Sequence, residues 1–277
     1  MNIRFSQATR NPAALFRAFI LTWCVALALA LNPTPSRAQD AQAAGPEPLP
    51  GERVEDGIFT IAVFGDSLAD GIWGAFYRTL QRDRRFEILR RARASTGIAR
   101  PDYYDWNQEL ATFLLEDPID AAVFALGLND MQAMYIARNQ HHTFRSEAWN
   151  DEYRARVSRL MEQLVDAGVP TYWVGLPIMR SGNYSGNIAH LNTMFEPLAD
   201  AYDGVEFVPM WDLTADANGA YSAYLEDEEG RNRLMRANDG IHFTPRGYEL
   251  LSRAIMTAMA RDLPIFQEMM AESGTGG

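Results

Sequence analysis

Four short stretches of the chain carry residue types that could do chemistry together. Gly65-Asp66-Ser67 puts a hydroxyl just after an apolar run, and Gly127-Leu128-Asn129-Asp130 puts a side-chain amide just after another. Asp239-Gly240-Ile241-His242 holds a carboxylate and an imidazole three residues apart, and Ser95-Thr96-Gly97 lies between the second and third apolar runs. A serine hydroxyl is a poor nucleophile until a base takes its proton, and near neutral pH histidine suits that task best. An aspartate three residues earlier on the same loop can accept the Nδ1 hydrogen and fix the tautomer. A glycine amide and an asparagine side chain can both donate to a developing oxyanion. The chemistry this set could perform is acyl transfer through Ser67, with His242 as base and Asp239 orienting it.

Each fragment alone has a plainer reading. Gly-Asp-Ser and Gly-x-Asn-Asp are turn formers, and Asp-x-x-His suits a helix-capping loop. Their order, each just past a strand or before a helix, is what points to a site. Asp66 and Asp130 read as residues that bond turn amides and hold Ser67 and Asn129 in place. For Arg100, Asp102 and Trp106 two readings stay open: substrate-binding residues lining a cleft, or an internal ion pair beside a packed tryptophan. The Met131, Met134, Tyr135 and Ile136 group reads as packing, with an apolar lip for an acyl chain as the other reading. His141 and His142 read as a solvated loop with no carboxylate at metal-ligand spacing. His190 falls in a helical stretch as a surface or packing residue. Neither a Walker loop nor Gly-x-Gly-x-x-Gly follows the first strand. No cofactor and no metal are therefore expected.

The elements that must position these residues follow from the apolar pattern. Phe59–Phe64, Phe86–Leu89, Ala121–Leu126, Thr171–Leu176 and Val205–Val208 are short apolar runs, most of them ending at Gly or Pro. Near-continuous apolar strands suit a parallel sheet buried on both faces. Between them, Trp149, Tyr153, Val157, Leu160, Met161 and Leu164 recur at helical spacing, as do Tyr248, Leu251, Ile255, Ala258 and Met259. Thr244 followed by Pro245 is a helix start. This alternation predicts one three-layer α/β domain over residues 58–265, with 266–277 as a tail. In such sheets ligands bind beyond the carboxyl ends of the strands, where the four stretches lie.

These residues, in this order, resemble the conserved blocks of the SGNH (GDSL-like) hydrolases. Gly65-Asp66-Ser67 is similar to the first block, Gly97 to the second, Gly127-Leu128-Asn129-Asp130 to the third and Asp239-Gly240-Ile241-His242 to the fifth. The segments Ser95–Trp106 and Gly175-Leu176-Pro177 also resemble a bacterial exported branch of that superfamily. The resemblance spans roughly 58–262. It implies a flavodoxin-like, three-layer α/β/α fold with a five-stranded parallel sheet. It implies Ser67, Asp239 and His242 as a triad, with the Ser67 amide, the Gly97 amide and Asn129 as oxyanion donors. It further implies an ester hydrolase, foremost one removing acetyl groups from envelope or extracellular glycans. Two alternatives stand beside it: a lysophospholipase or thioesterase, and a catalytically silent module in polysaccharide assembly.

Composition narrows the partners. The 277-residue chain has a net charge of −11, and all 25 basic residues are Arg. Such an acidic protein repels phosphate backbones and anionic lipid, so neither nucleic acid nor a membrane surface is an expected partner. Arg4, Arg10 and Arg17 precede an apolar run, Ala18 to Leu31, and Ser36-Arg37-Ala38 offers small residues at a cleavage site. This pattern predicts a secretory signal over 1–38, followed by a Pro- and Ala-rich linker over 39–57. The mature chain would carry a charge of about −15, lack the lone Cys24, and reside in the periplasm or outside the cell without stable membrane insertion.

Overall fold

The computed structural model describes residues 57–227 and 230–274. The expected signal over 1–38 and, apart from Gly57, the expected linker lie outside the described residues. Among the described residues no helix is long and apolar enough to cross a membrane.

Five parallel strands form the central sheet: β1 (Phe59–Gly65), β2 (Phe86–Ala92), β3 (Ala121–Ala125), β6 (Thr171–Val174) and β7 (Val205–Val208). Their order is β2-β1-β3-β6-β7. Every residue of β1, β3 and β6 is buried, which is why these strands read as unbroken apolar runs. Helices α1 (Ser67–Leu80), α5 (Pro245–Asp262) and α6 (Pro264–Gly274) pack together, as do α2 (Trp106–Glu116), α3 (Glu147–Asp166) and α4 (Gly182–Ala199). The three-layer α/β/α fold with a five-stranded parallel sheet is as expected. Two small antiparallel hairpins, β4 (Met134–Ala137) with β5 (Gln140–His142) and β8 (Tyr224–Glu226) with β9 (Asn232–Leu234), sit outside the sheet.

The strand order reverses direction at β1 and β3, which pair with each other. The chain leaves β1 for the β2 edge and later leaves β3 for the β6 edge, so a crevice opens between the loops that follow β1 and β3. Ser67 and Asn129 stand on those two loops. The third partner arrives through helix packing. Gly71, one turn into α1, leaves room for the ring of Tyr248 in α5; a Cβ there would fall 1.9 Å from that ring. Bringing α5 this close to α1 brings the loop before α5, and with it His242, over the start of α1.

Two expectations need correction. The domain does not stop at residue 265. Helix α6 carries Phe266, fully buried, against Phe59 and Phe86 with ring centroids 6.2 and 5.2 Å apart. The segment looks like a tail in sequence because it is short and follows a long helix, yet one aromatic side chain suffices to dock it under the first two strands. His141 and His142 are not in a loop but in β5, where they pair with Tyr135 and Met134. The hairpin carries a register shift and a mostly exposed face, so it lacks the alternation that marks a strand.

Phe266→Ala is expected to lower unfolding free energy by about 3–5 kcal/mol, the usual range for removing a buried aromatic ring. Urea denaturation checks this. A loss under about 1 kcal/mol would show α6 to be an appendage rather than part of the core.

Candidate active site

Ser67 is the first residue of α1, and Asp66 is its N-cap. The Asp66 carboxylate is fully buried and accepts three amide hydrogens: Leu68 N at 2.9 Å, Gly127 N at 3.1 Å and Leu128 N at 2.9 Å. One side chain therefore caps the helix that carries Ser67 and ties that helix start to the loop that carries Asn129. Burial pushes the Asp66 carboxyl up to about 7, even though the three amides favour its ionised form.

Asp130 repeats the device one loop further on. It accepts from Ala99 N at 2.8 Å and from the Tyr153 hydroxyl at 2.7 Å, and burial again raises its carboxyl. Ala99 belongs to the Gly97 loop, which approaches so closely that a Cβ on Gly97 would lie 2.1 Å from Asp130 Oδ1. Only glycine fits there. Asn129 Nδ2 donates to Thr96 O at 2.8 Å, and Trp106 Nε1 donates to Thr96 Oγ1 at 3.1 Å. An amide nitrogen carries two hydrogens, so the bond to Thr96 orients the Asn129 side chain and leaves a second donor.

The loop before α5 completes the arrangement. Ser67 Oγ lies 2.7 Å from His242 Nε2, and His242 Nδ1 lies 2.7 Å from Asp239 Oδ2. Asp239 Oδ1 accepts from the amides of Ile241 at 2.8 Å and His242 at 2.9 Å. Partial burial raises the Asp239 carboxyl, but the His242 ring and the two amides outweigh it and hold the group at about 2. With Asp239 ionised, the Nδ1 hydrogen points at it and Nε2 is left to accept from Ser67. A hydroxyl, an imidazole and a carboxylate in this line can pass a proton from Ser67 to His242 as the serine oxygen attacks a carbonyl carbon.

The structure thus brings Ser67, Asp239 and His242 together, with Gly97 and Asn129 on loops cross-tied to Ser67. Arg100 and Asp102 are engaged with one another instead: the Arg100 guanidinium grips Asp102 through two bonds of 2.8 and 2.7 Å, both side chains partly exposed. Trp106 is buried in the core. Met134 is buried, whereas Tyr135 and Ile136 stand exposed on the β4–β5 hairpin, which follows Asn129 by a few residues. His190, half-buried, meets Asn150 Oδ1 at 2.8 Å. Among the described residues no group of three His, Cys, Asp or Glu side chains is placed to hold a metal.

Sequence reasoning missed the side chains that hold the loops from behind. Tyr153 appears there only as a helix core position, yet its hydroxyl satisfies Asp130. Arg156, also on α3, is buried and donates from Nη1 to Ile98 O at 3.1 Å while pairing with Glu152 at 2.7 Å. Tyr184 donates to Leu128 O at 2.6 Å. A signal existed for α3 alone: Tyr153 and Arg156 share its buried face at a spacing of three.

The family described as "Protein of unknown function (DUF459)" matches residues 60–258. No curated protein matches the sequence. Among solved structures, the fold is similar to that of the acetyl xylan esterase AlAXEase, with a TM-score of 0.53 and 15% identity over 72% of this chain and 99% of that one. A catalytic mutant of an acetylxylan esterase from Geobacillus stearothermophilus gives 0.51 and 12% over 72% and 93%. A GDSL-like lipase from Bacteroides thetaiotaomicron gives 0.50 and 16% over 76% and 91%. Similarity at this level of identity speaks for the fold. The chain belongs to the DUF459 family, and its fold is similar to that of acetylxylan esterases and a GDSL-like lipase.

Proposed function

We propose that the protein is a serine ester hydrolase that works through an acyl-enzyme on Ser67. The observation that carries this reading is the hydrogen-bonded line from Ser67 through His242 to Asp239, with 2.7 Å at each step. In the first half-reaction Ser67 Oγ bonds to the ester carbonyl carbon as its proton passes to His242 Nε2. The negative oxygen that forms would be met by the Ser67 and Gly97 amides and by Asn129. His242 then gives its proton to the departing alkoxide, which leaves as an alcohol. In the second half-reaction His242 takes a proton from water, the hydroxide attacks the acyl carbon, and Ser67 leaves with that proton restored to it. The positive end of α1 at Ser67 favours charge of this sign.

The substrate we propose is a small acyl ester, foremost acetyl, on an envelope or extracellular glycan. Three observations support it. His242 and Asp239 side chains are 34% and 46% exposed, so a sugar on a polymer can reach Ser67 from solution. The N-terminal leader points to export, and two structures of similar fold carry acetylxylan esterase names. A second reading, hydrolysis of longer acyl esters or thioesters, is favoured by exposed Tyr135 and Ile136 on the hairpin that follows Asn129.

Two outcomes are expected. Because Asp239 is held at about 2, it stays ionised throughout the range in which the enzyme works. Protonation of Asp239 should therefore leave kcat/KM unaffected until the pH nears about 2. Asp239→Asn should stay folded and lose up to about 10⁴-fold in kcat, since the neutral amide favours the wrong tautomer. A loss under about tenfold would assign the orienting role elsewhere.

Acyl-chain preference across p-nitrophenyl esters, together with acetate release from acetylated xylan and acetylated peptidoglycan, tests the substrate. The acetyl reading expects fastest turnover on acetate esters and acetate freed from a glycan. Preference for long acyl chains with no acetate released from either glycan would favour the second reading.

A further inference from the structure

Arg236 is 1% exposed, and its fully buried guanidinium has no carboxylate within ion-pairing distance among the described residues. Burying a cation without an anion is expensive unless its hydrogens are well used. Here the two terminal nitrogens are used: Nη1 donates to Ile178 O at 2.8 Å, and Nη2 to Ile241 O at 3.0 Å, Gly240 O at 3.4 Å and Met179 Sδ at 3.4 Å, while buried Nε has no hydrogen-bond partner. Gly240 and Ile241 are the two residues between Asp239 and His242. Ile178 belongs to the segment that leaves β6 after Pro177. The guanidinium also stacks on Phe243 at 4.0 Å and faces Tyr221 at 5.0 Å. Burial lowers it to about 10, so it remains charged at neutral pH.

We propose that Arg236 is a positioning residue for His242, fastening the Asp239–His242 loop to the segment that follows β6. This rests on the reading of Ser67 and His242 given above. A planar guanidinium reaches two well-separated carbonyls at once, which an ammonium does not. The same carbonyl of Gly240 also accepts from Arg180 N at 3.1 Å, and Ala237 N donates to His242 O at 2.9 Å, so the loop is held at both ends and from beneath. The other titratable groups facing this region are Tyr221, Tyr248 and Asp239, with Arg180 packed against Gly240.

The test compares Arg236→Met with Arg236→Lys in the full chain. Three readouts are taken: urea stability, kcat and KM on p-nitrophenyl acetate, and the NMR resonance of the His242 Nδ1 hydrogen in its bond to Asp239. For Arg236→Met, kcat is expected to fall at least about tenfold with KM little changed, and the Nδ1 hydrogen resonance is expected to shift or broaden as the loop loosens. Arg236→Lys keeps a donor but not the fork, so it should recover part of the lost kcat. If folded Arg236→Met keeps both the kcat and the Nδ1 hydrogen resonance of the parent, the proposal is overturned. The same holds if both variants lose activity only in proportion to the fraction unfolded. The resonance needs no turnover: absence of Ser67-dependent activity in the parent would sink the hydrolase reading, whereas an unmoved resonance would sink the role of Arg236.

Discussion

A single buried carboxylate, that of Asp66, joins the start of α1 to the loop after β3. Ser67 follows it, and Gly127 and Leu128, whose amides it accepts, precede Asn129. Without that joint the two loops at the switch point of the sheet would have separate freedoms, and unsatisfied amides would face the core at three places. Asp130 extends the tie to the Gly97 loop through Ala99, so Ser67, Gly97 and Asn129 stand on one cross-linked unit. The charge of Asp130 adds to burial in raising the Asp66 carboxyl, and both carboxylates raise the Tyr153 hydroxyl. The fold tolerates this because each carboxylate oxygen meets an amide or hydroxyl donor.

The imidazole reaches this unit by another route. No strand carries His242; the packing of α5 on α1 at Gly71 delivers it, and the Asp239 turn shapes its loop. This packing places the His242 imidazole within hydrogen-bonding distance of the Ser67 hydroxyl. The hydrogen-bonded line is also open to solvent on the His242 side.

Much of this was legible in the sequence because buried parallel strands announce themselves. Phe59–Phe64 and Ala121–Leu126 are unbroken apolar runs, and each is followed within a few residues by one of the polar motifs. Thr244 and Pro245 marked the start of α5, and with it the position of the histidine just before. What stayed hidden depended on long-range contact. Phe266 seals α6 under β1 and β2, which short-range periodicity cannot report. Tyr135 and His141 pair across a hairpin with a shifted register, so no period-two pattern survives. Arg100 and Asp102 are two residues apart in sequence, and only the folded loop decided that they grip each other. Arg236 sits in a polar run, Arg231-Asn232-Arg233-Leu234-Met235-Arg236, where nothing local separates a buried arginine from exposed ones.

The central claim is that Ser67 is the nucleophile and that His242 activates it. Intact-protein and peptide mass spectrometry after treatment with a fluorophosphonate probe measures this directly. The account predicts one phosphonyl adduct per chain, on the peptide holding Ser67, absent in Ser67→Ala and formed far more slowly in His242→Ala. An adduct that persists in Ser67→Ala, or labelling of Ser67 at an unchanged rate in His242→Ala, would contradict it.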